Sequence, residues 1–306
     1  MAQVAVGAMP APSNRIVLTS AAMPIDGPVP GWILSIVAAA TLFTVMFDLG
    51  LTLVPSEFRW VWQRPGLVLK GLFSVLVAVP VIALVVARAL DLPRPAEVGI
   101  MLMAISPGAP VALRRSLGAG GHHSFAPALQ IAVAMLAVVS MPISIAALAE
   151  YYGARAVVDP MELARQVFMA QLLPLALGMT MNRFRAANAA WIEPKLRRLG
   201  GALLVLLLVL VLIDIWQVVI GAGWRLTLAV VVVTASALAV GHLLGGPEPA
   251  TRTATAICSA ARNPGLALVV VTLNSAPSAI TRTVLAYLVI GALTLIPYVA
   301  WRRRAT

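Results

Sequence analysis

Cysteine occurs once in the 306 residues, as Cys258. One thiol can neither close an intramolecular disulfide nor assemble a thiolate metal site, so a disulfide framework and a structural zinc centre are excluded. Acidic residues number only 11 and histidines three, with no metal-spaced cluster, no nucleophile–base arrangement and no phosphate-binding Gly-Lys motif. An enzyme is therefore disfavoured, and no cofactor is expected. Charge of either sign is sparse: charged residues make up 11% of the chain and hydrophobic ones 61%, for a mean hydropathy of +0.96. Soluble globular domains do not combine so few charges with so much apolar surface.

What is present is a series of long apolar runs. A helix crossing the hydrocarbon core needs about 20 mostly apolar residues, and nine segments qualify, at approximately 31–53, 66–90, 96–116, 124–149, 160–181, 200–221, 224–245, 252–274 and 280–300. The chain reads as an all-α polytopic membrane protein with nine transmembrane helices in a lipid bilayer. Its formal net charge of +11 comes mostly from arginines between the runs, which bears on topology and gives no reason to expect a nucleic-acid partner. Residues 1–30 hold scattered Pro and Ser with no sustained apolar stretch, and read as a disordered lead; a transmembrane domain over 31–300 and a basic tail over 301–306 follow. An odd number of spans puts the termini on opposite sides. With the tail "WRRRAT" in the cytoplasm, fourteen basic residues fall on that side and seven on the other. That asymmetry supports an N-terminus outside and a C-terminus inside the cell (inner or plasma) membrane.

Two spans interrupt themselves. The third contains "AISPGAPVAL", with Pro107, Gly108 and Pro110, and the eighth contains "SAARNPGLAL", with Pro264 and Gly265. Proline removes a backbone N–H and clashes with the preceding turn, and an adjacent glycine favours a true discontinuity. In lipid the freed backbone groups persist only where buried in protein or lining a wet cavity. If 31–150 and 200–300 form two repeat halves, with 160–181 as an extra helix between them, the third and eighth spans are equivalent members crossing in opposite directions. That is the pattern of an inverted repeat whose paired discontinuous helices flank a midplane binding site. A second echo, "LGLTL" (49–53) against "LGMTM" (177–181), joins two spans of the same direction and is not the inverted pair.

Three charges fall well inside spans: Asp48, Asp214 and Arg262. Each costs about 2.5–3.5 kcal/mol on insertion scales, so each is expected to face the protein interior or a water-filled path. Two accounts stand side by side. In one, Arg262 forms a fixed interhelical ion pair with an aspartate. In the other, Arg262 binds an anionic substrate beside the half-helix ends, with Asn263, Pro107, Gly108 and Gly265 completing the site and Asp48 or Asp214 acting in coupling or gating. Arginine stays protonated, so proton coupling would fall to the aspartates. Lys70 is expected to snorkel, His122 and His123 to sit in a solvated turn, and Ser124 and Gln130 to line the cavity or bond between helices. Trp60, Trp62, Trp191 and Trp301 fit interfacial anchors.

The chain resembles the bile acid:sodium symporter family. The matching pieces run in family order: "VMFDLGLTL" with "FRWVWQRPGLVLKG", then "AISPGAPVAL" at the family's "PGG" break, then "ARNPGLAL" at its "QN" break. The resemblance covers most of the chain after residue 30 and implies a panel domain (first, fifth and sixth spans) against a core domain (second to fourth and seventh to ninth). Within the core, the two discontinuous helices cross at their breaks, and substrate binds between the domains. It implies transport of a small organic anion by a secondary-active symporter. The family's sodium ligands do not carry over: Ala112 and Leu113 stand where it offers a Ser-Asn pair, and Cys258 and Arg262 where it offers a glutamate and a glutamine. No metal ligand set is therefore expected, sodium coupling is open, and an arginine in that position would repel the ion and could substitute for its charge. A conventional sodium symporter with ligands elsewhere, or a non-transporting sensor or scaffold of the same fold, are the alternatives. Oligomeric state is not legible.

Overall fold

A computed structural model describes residues 31–53, 62–151, 159–221, 223–274 and 276–305. The expected lead over 1–30 lies outside them. Among the described residues the regular structure is helical, with no strand. In chain order the helices are α1 (Gly31–Thr52), α2 (Pro65–Ala89), α3 (Arg94–Ala104), α4 (Pro110–Leu117), α5 (Phe125–Tyr151), α6 (160–184), α7 (Ala186–Gly221), α8 (Gly223–Leu244), α9 (Pro249–Ala260), α10 (Pro264–Leu273) and α11 (Ser278–Arg304). Among the described residues five stretches are long and apolar enough to cross a membrane: α2, α5, α8, the α9–α10 pair over Pro249–Leu273, and α11. Apolar residues at four-residue spacing, such as Val77, Val81 and Val85 on α2 and Met135, Val139 and Ile143 on α5, remain exposed. Such stripes face lipid in a membrane protein.

Proline sets the punctuation. It occupies the first turn of α2, α3, α4, α6, α9 and α10, where a missing N–H costs nothing. Inside helices it acts differently. Pro80 and Pro174 each follow a single π-helical turn, Ser74–Ala78 in α2 and Phe168–Leu172 in α6. In the first of these, the Val79 N–H bonds the Ser74 carbonyl five residues back, and the next residue, Pro80, has no N–H to offer. The Val75 carbonyl is thereby left without a partner in its own helix.

The helices pack in two sets. α1 lies against α6 and α7, while α8 packs on α2, α9 and α11, and α3 packs on α11. The α1–α6 seam is a backbone contact: a Cβ added at Gly50 would meet Gly178 and the Leu175 carbonyl, and one at Gly178 would meet Gly50 and the Phe47 carbonyl. The "LGLTL" and "LGMTM" echo is thus a pair of facing small-residue patches, the usual device for close helix approach in membranes. Two stretches differ from expectation. The basic segment expected as a loop over 183–198 is mostly helical, because α7 starts at Ala186 and is supported by the Arg197–Glu193 pair and by Lys195 over the Trp191 ring. Residues 301–304, expected as a tail, are the last turn of α11. Arg302 is buried there and donates to the Thr253 hydroxyl at 2.7 Å and to the Pro249 carbonyl at 3.2 Å.

Candidate substrate and ion site

The chain breaks twice, at 105–109 between α3 and α4 and at 261–263 between α9 and α10, and the two breaks meet. The Asn263 N–H donates to the Ser106 carbonyl at 2.9 Å. Asn263 also caps α10, its Oδ1 accepting from the Leu266 N–H at 3.1 Å. Across the other break, Gln130 of α5 donates through Nε2 to the Ala109 carbonyl at 3.2 Å, and its Oε1 lies 3.9 Å from the Cys258 thiol. Gly108 turns the chain at φ +80, and a Cβ there would strike the buried Gln171 amide of α6. Backbone groups freed by proline and glycine are in this way satisfied within the protein, as the bilayer interior demands.

Arg262 sits in the second break, 5% exposed. Its Nη1 donates to the Ala104 carbonyl at 2.9 Å and to the Val75 carbonyl at 3.1 Å, and Nη2 donates to the Ser259 carbonyl. Each acceptor has a structural reason to be available. Ala104 and Ser259 lie at the C-terminal ends of the half-helices α3 and α9, where carbonyls lack intrahelical partners and the dipole is negative. Val75 was released by the π-helical turn before Pro80. One guanidinium therefore ties three helices together through main-chain oxygens. Beside it, the hydroxyls of Ser74 and Ser259 are hydrogen-bonded at 2.8 Å.

A cavity of about 110 Å³ adjoins the crossing, lined by α1, α4, α7, α11 and the second break. Arg262, Asn263 and Gly265 reach its wall, together with Arg115, Tyr287 and Thr41; Pro107 and Gly108 lie in the first break away from it. A second, more open cavity of about 570 Å³ shares Arg115 and extends along α11 to Arg303. Asp48 is elsewhere. It is buried in α1, and its carboxylate pairs with Arg114 of α4, which is 42% exposed. The expected alternative of an Arg262–Asp48 bridge is not formed; the pair that bridges α1 and the first discontinuous helix uses Arg114. Asp214 lies on the α7 backbone, with its side chain outside the described residues. Ala112, Leu113 and Cys258 are buried and present no side-chain oxygen. Among the described residues no group of three or more His, Cys, Asp or Glu could hold a metal ion. His122, expected in a solvated turn, accepts from the Ser124 and Phe125 N–H groups through Nδ1 and so starts α5.

Sequence reasoning missed Arg114, Arg115 and Gln171. The first two enter only through the count of cytoplasmic basic residues, although they follow the "SPGAP" break by only a turn. Gln171 carries no pattern of its own; only the approach of α6 to Gly108 singles it out.

The family model for the sodium bile acid symporter family matches residues 39–222. The chain belongs to that family. Membership brings an integral membrane protein, and accords with the expectation that it is no enzyme. Relatives include an uncharacterized sodium-dependent transporter, YocS, of Bacillus subtilis, 27% identical over 46% of this chain and 43% of that protein. Another is a probable sodium/metabolite cotransporter, BASS3, chloroplastic, of Oryza sativa subsp. japonica, 23% identical over 53% of this chain and 38% of that protein. The matched stretch thus spans less than half the length of either relative.

Proposed function

We propose that this symporter-family chain is a secondary-active transporter of a small organic anion, with Arg262 standing permanently where a coupling cation would otherwise bind. The observation that carries the reading is the set of three main-chain carbonyls gathered on one guanidinium at the crossing of two discontinuous helices, beside a cavity. Carbonyl oxygens converging from half-helix ends are what a monovalent cation seeks in such folds, and a fixed arginine meets the same demand without exchanging. On this reading α1, α6 and α7 form a panel and the remaining helices a core. The chain makes nine spans arranged as an inverted repeat, with N-terminus outside and C-terminus cytoplasmic in a cell membrane. The substrate binds between panel and core, with Asn263 and Gly265 on the wall of the site and the break over Pro107 and Gly108 setting α4 beside it. Asp48 with Arg114 acts as a gate across the boundary, and Asp214 is the second candidate for coupling.

A sodium-coupled reading has one observation in its favour beyond the relatives' names: the Ser74 and Ser259 hydroxyls and the Gln130 amide supply oxygen near the crossing. Counterflow of taurocholate and of pyruvate into proteoliposomes separates the two. With sodium replaced by potassium, uptake should persist; strict sodium dependence that survives Arg262→Ala refutes the fixed-cation reading. An imposed pH gradient distinguishes proton coupling from exchange.

A further inference from the structure

The two cavities share one ionised side chain, Arg115 of α4. It is half-buried, yet makes no hydrogen bond or ion pair among the described residues. Its neighbours are engaged. Arg114 is held by Asp48, Arg262 by the carbonyls of Val75, Ala104 and Ser259, and Arg303 donates to the Gly118 carbonyl at 3.0 Å. The lining of the first cavity is largely apolar and includes Leu42, Val45, Leu204, Leu207 and Leu295. A cation left unneutralised against such a wall has a strong electrostatic demand for an anion, because little water or protein charge competes for it.

We propose that Arg115, and not Arg262, recognises the anionic group of the transported molecule, a carboxylate or sulfonate carried on an apolar body. The proposal rests on the transporter reading above. Arg262 is committed to structure: three of its five N–H donors go to the carbonyls of Val75, Ala104 and Ser259, and withdrawing them for substrate would strand those carbonyls. Arg115 has its whole donor fork available for bidentate contact with a carboxylate or sulfonate. It lines both the cavity beside the crossing and the more open one along α11, so an anion passing between them would stay within its reach. The apolar body would then lie along the leucines of α1 and α7.

The test uses the purified full-length chain with octanoate and its uncharged counterpart octanamide as probes. Protection is read as the shift in thermal unfolding reported by a thiol-reactive dye on Cys258. Octanoate should protect the wild type at lower concentration than octanamide does. Arg115→Gln should weaken octanoate by about tenfold or more while leaving octanamide unchanged, since a charge-assisted contact is worth at least one decade in affinity, and Arg115→Lys should recover part of the loss. The proposal is overturned if the wild type does not prefer octanoate, or if Arg115→Gln keeps that preference. The transporter reading fails separately: octanoate would bind in an Arg115-dependent way, yet wild-type proteoliposomes would move no organic anion.

Discussion

Arg262→Ala is the most direct perturbation of the crossing. It removes donors to the carbonyls of Val75, Ala104 and Ser259 at a site only 5% exposed. Hydrogen bonds to a charged group are worth about 1.5–3 kcal/mol each, but three bonds from one guanidinium are not independent, and the adjoining cavity lets water reach the vacated oxygens. A net loss of about 3–5 kcal/mol follows, since each buried carbonyl left unpaired costs about 1–3 kcal/mol. For a chain of this size that corresponds to a fall in melting temperature on the order of 10 °C. Cys258 is the only thiol and is buried, so a fluorogenic maleimide reports unfolding without further engineering. The second half of the prediction concerns sodium. The variant exposes main-chain oxygens beside the Ser74 and Ser259 hydroxyls, an all-oxygen set of the kind that suits sodium, and sodium at ten times its dissociation constant would return about 1.4 kcal/mol. Sodium chloride should therefore stabilise Arg262→Ala relative to choline chloride and leave the wild type unmoved. The reasoning is refuted if the variant melts with the wild type, or if sodium stabilises both equally.

Two further substitutions probe the seam and the gate. Gly50→Ala should cost about 1–3 kcal/mol and lower the melting temperature, because the new methyl group would meet the backbone of α6 at Gly178 and the Leu175 carbonyl; an unchanged melting temperature would show that the seam can open without penalty. Asp48→Asn, Arg114→Gln and the double variant form a cycle whose coupling energy should be about 1–2 kcal/mol, discounted for the half-exposed guanidinium. Additive effects in unfolding would mean that the pair contributes nothing to holding α1 against α4.

The helical class and the positions of both breaks were legible because they rest on local chemistry. Apolar length defines the spans, and Pro107-Gly108 and Pro264-Gly265 cannot continue a helix in lipid. What each arginine does was not legible, for a physical reason. The partner of a guanidinium is set by which carbonyls and carboxylates the tertiary crossing brings within 3 Å or so, and neither hydropathy nor loop charge encodes that. Arg114 and Arg115 are adjacent in sequence and alike in charge, yet α4 turns them in different directions, one onto Asp48 and one into the cavity. The signal that could have separated them was helical phase: a half-helix restarting at Pro110 sets adjacent residues about 100° apart. Arg262 also depends on a feature remote in sequence, the Val75 carbonyl released because Pro80 has no N–H. A proline in the second span and an arginine in the eighth thus act as one device, and removing Pro80 should retract an acceptor from Arg262 although the two residues stand 182 positions apart.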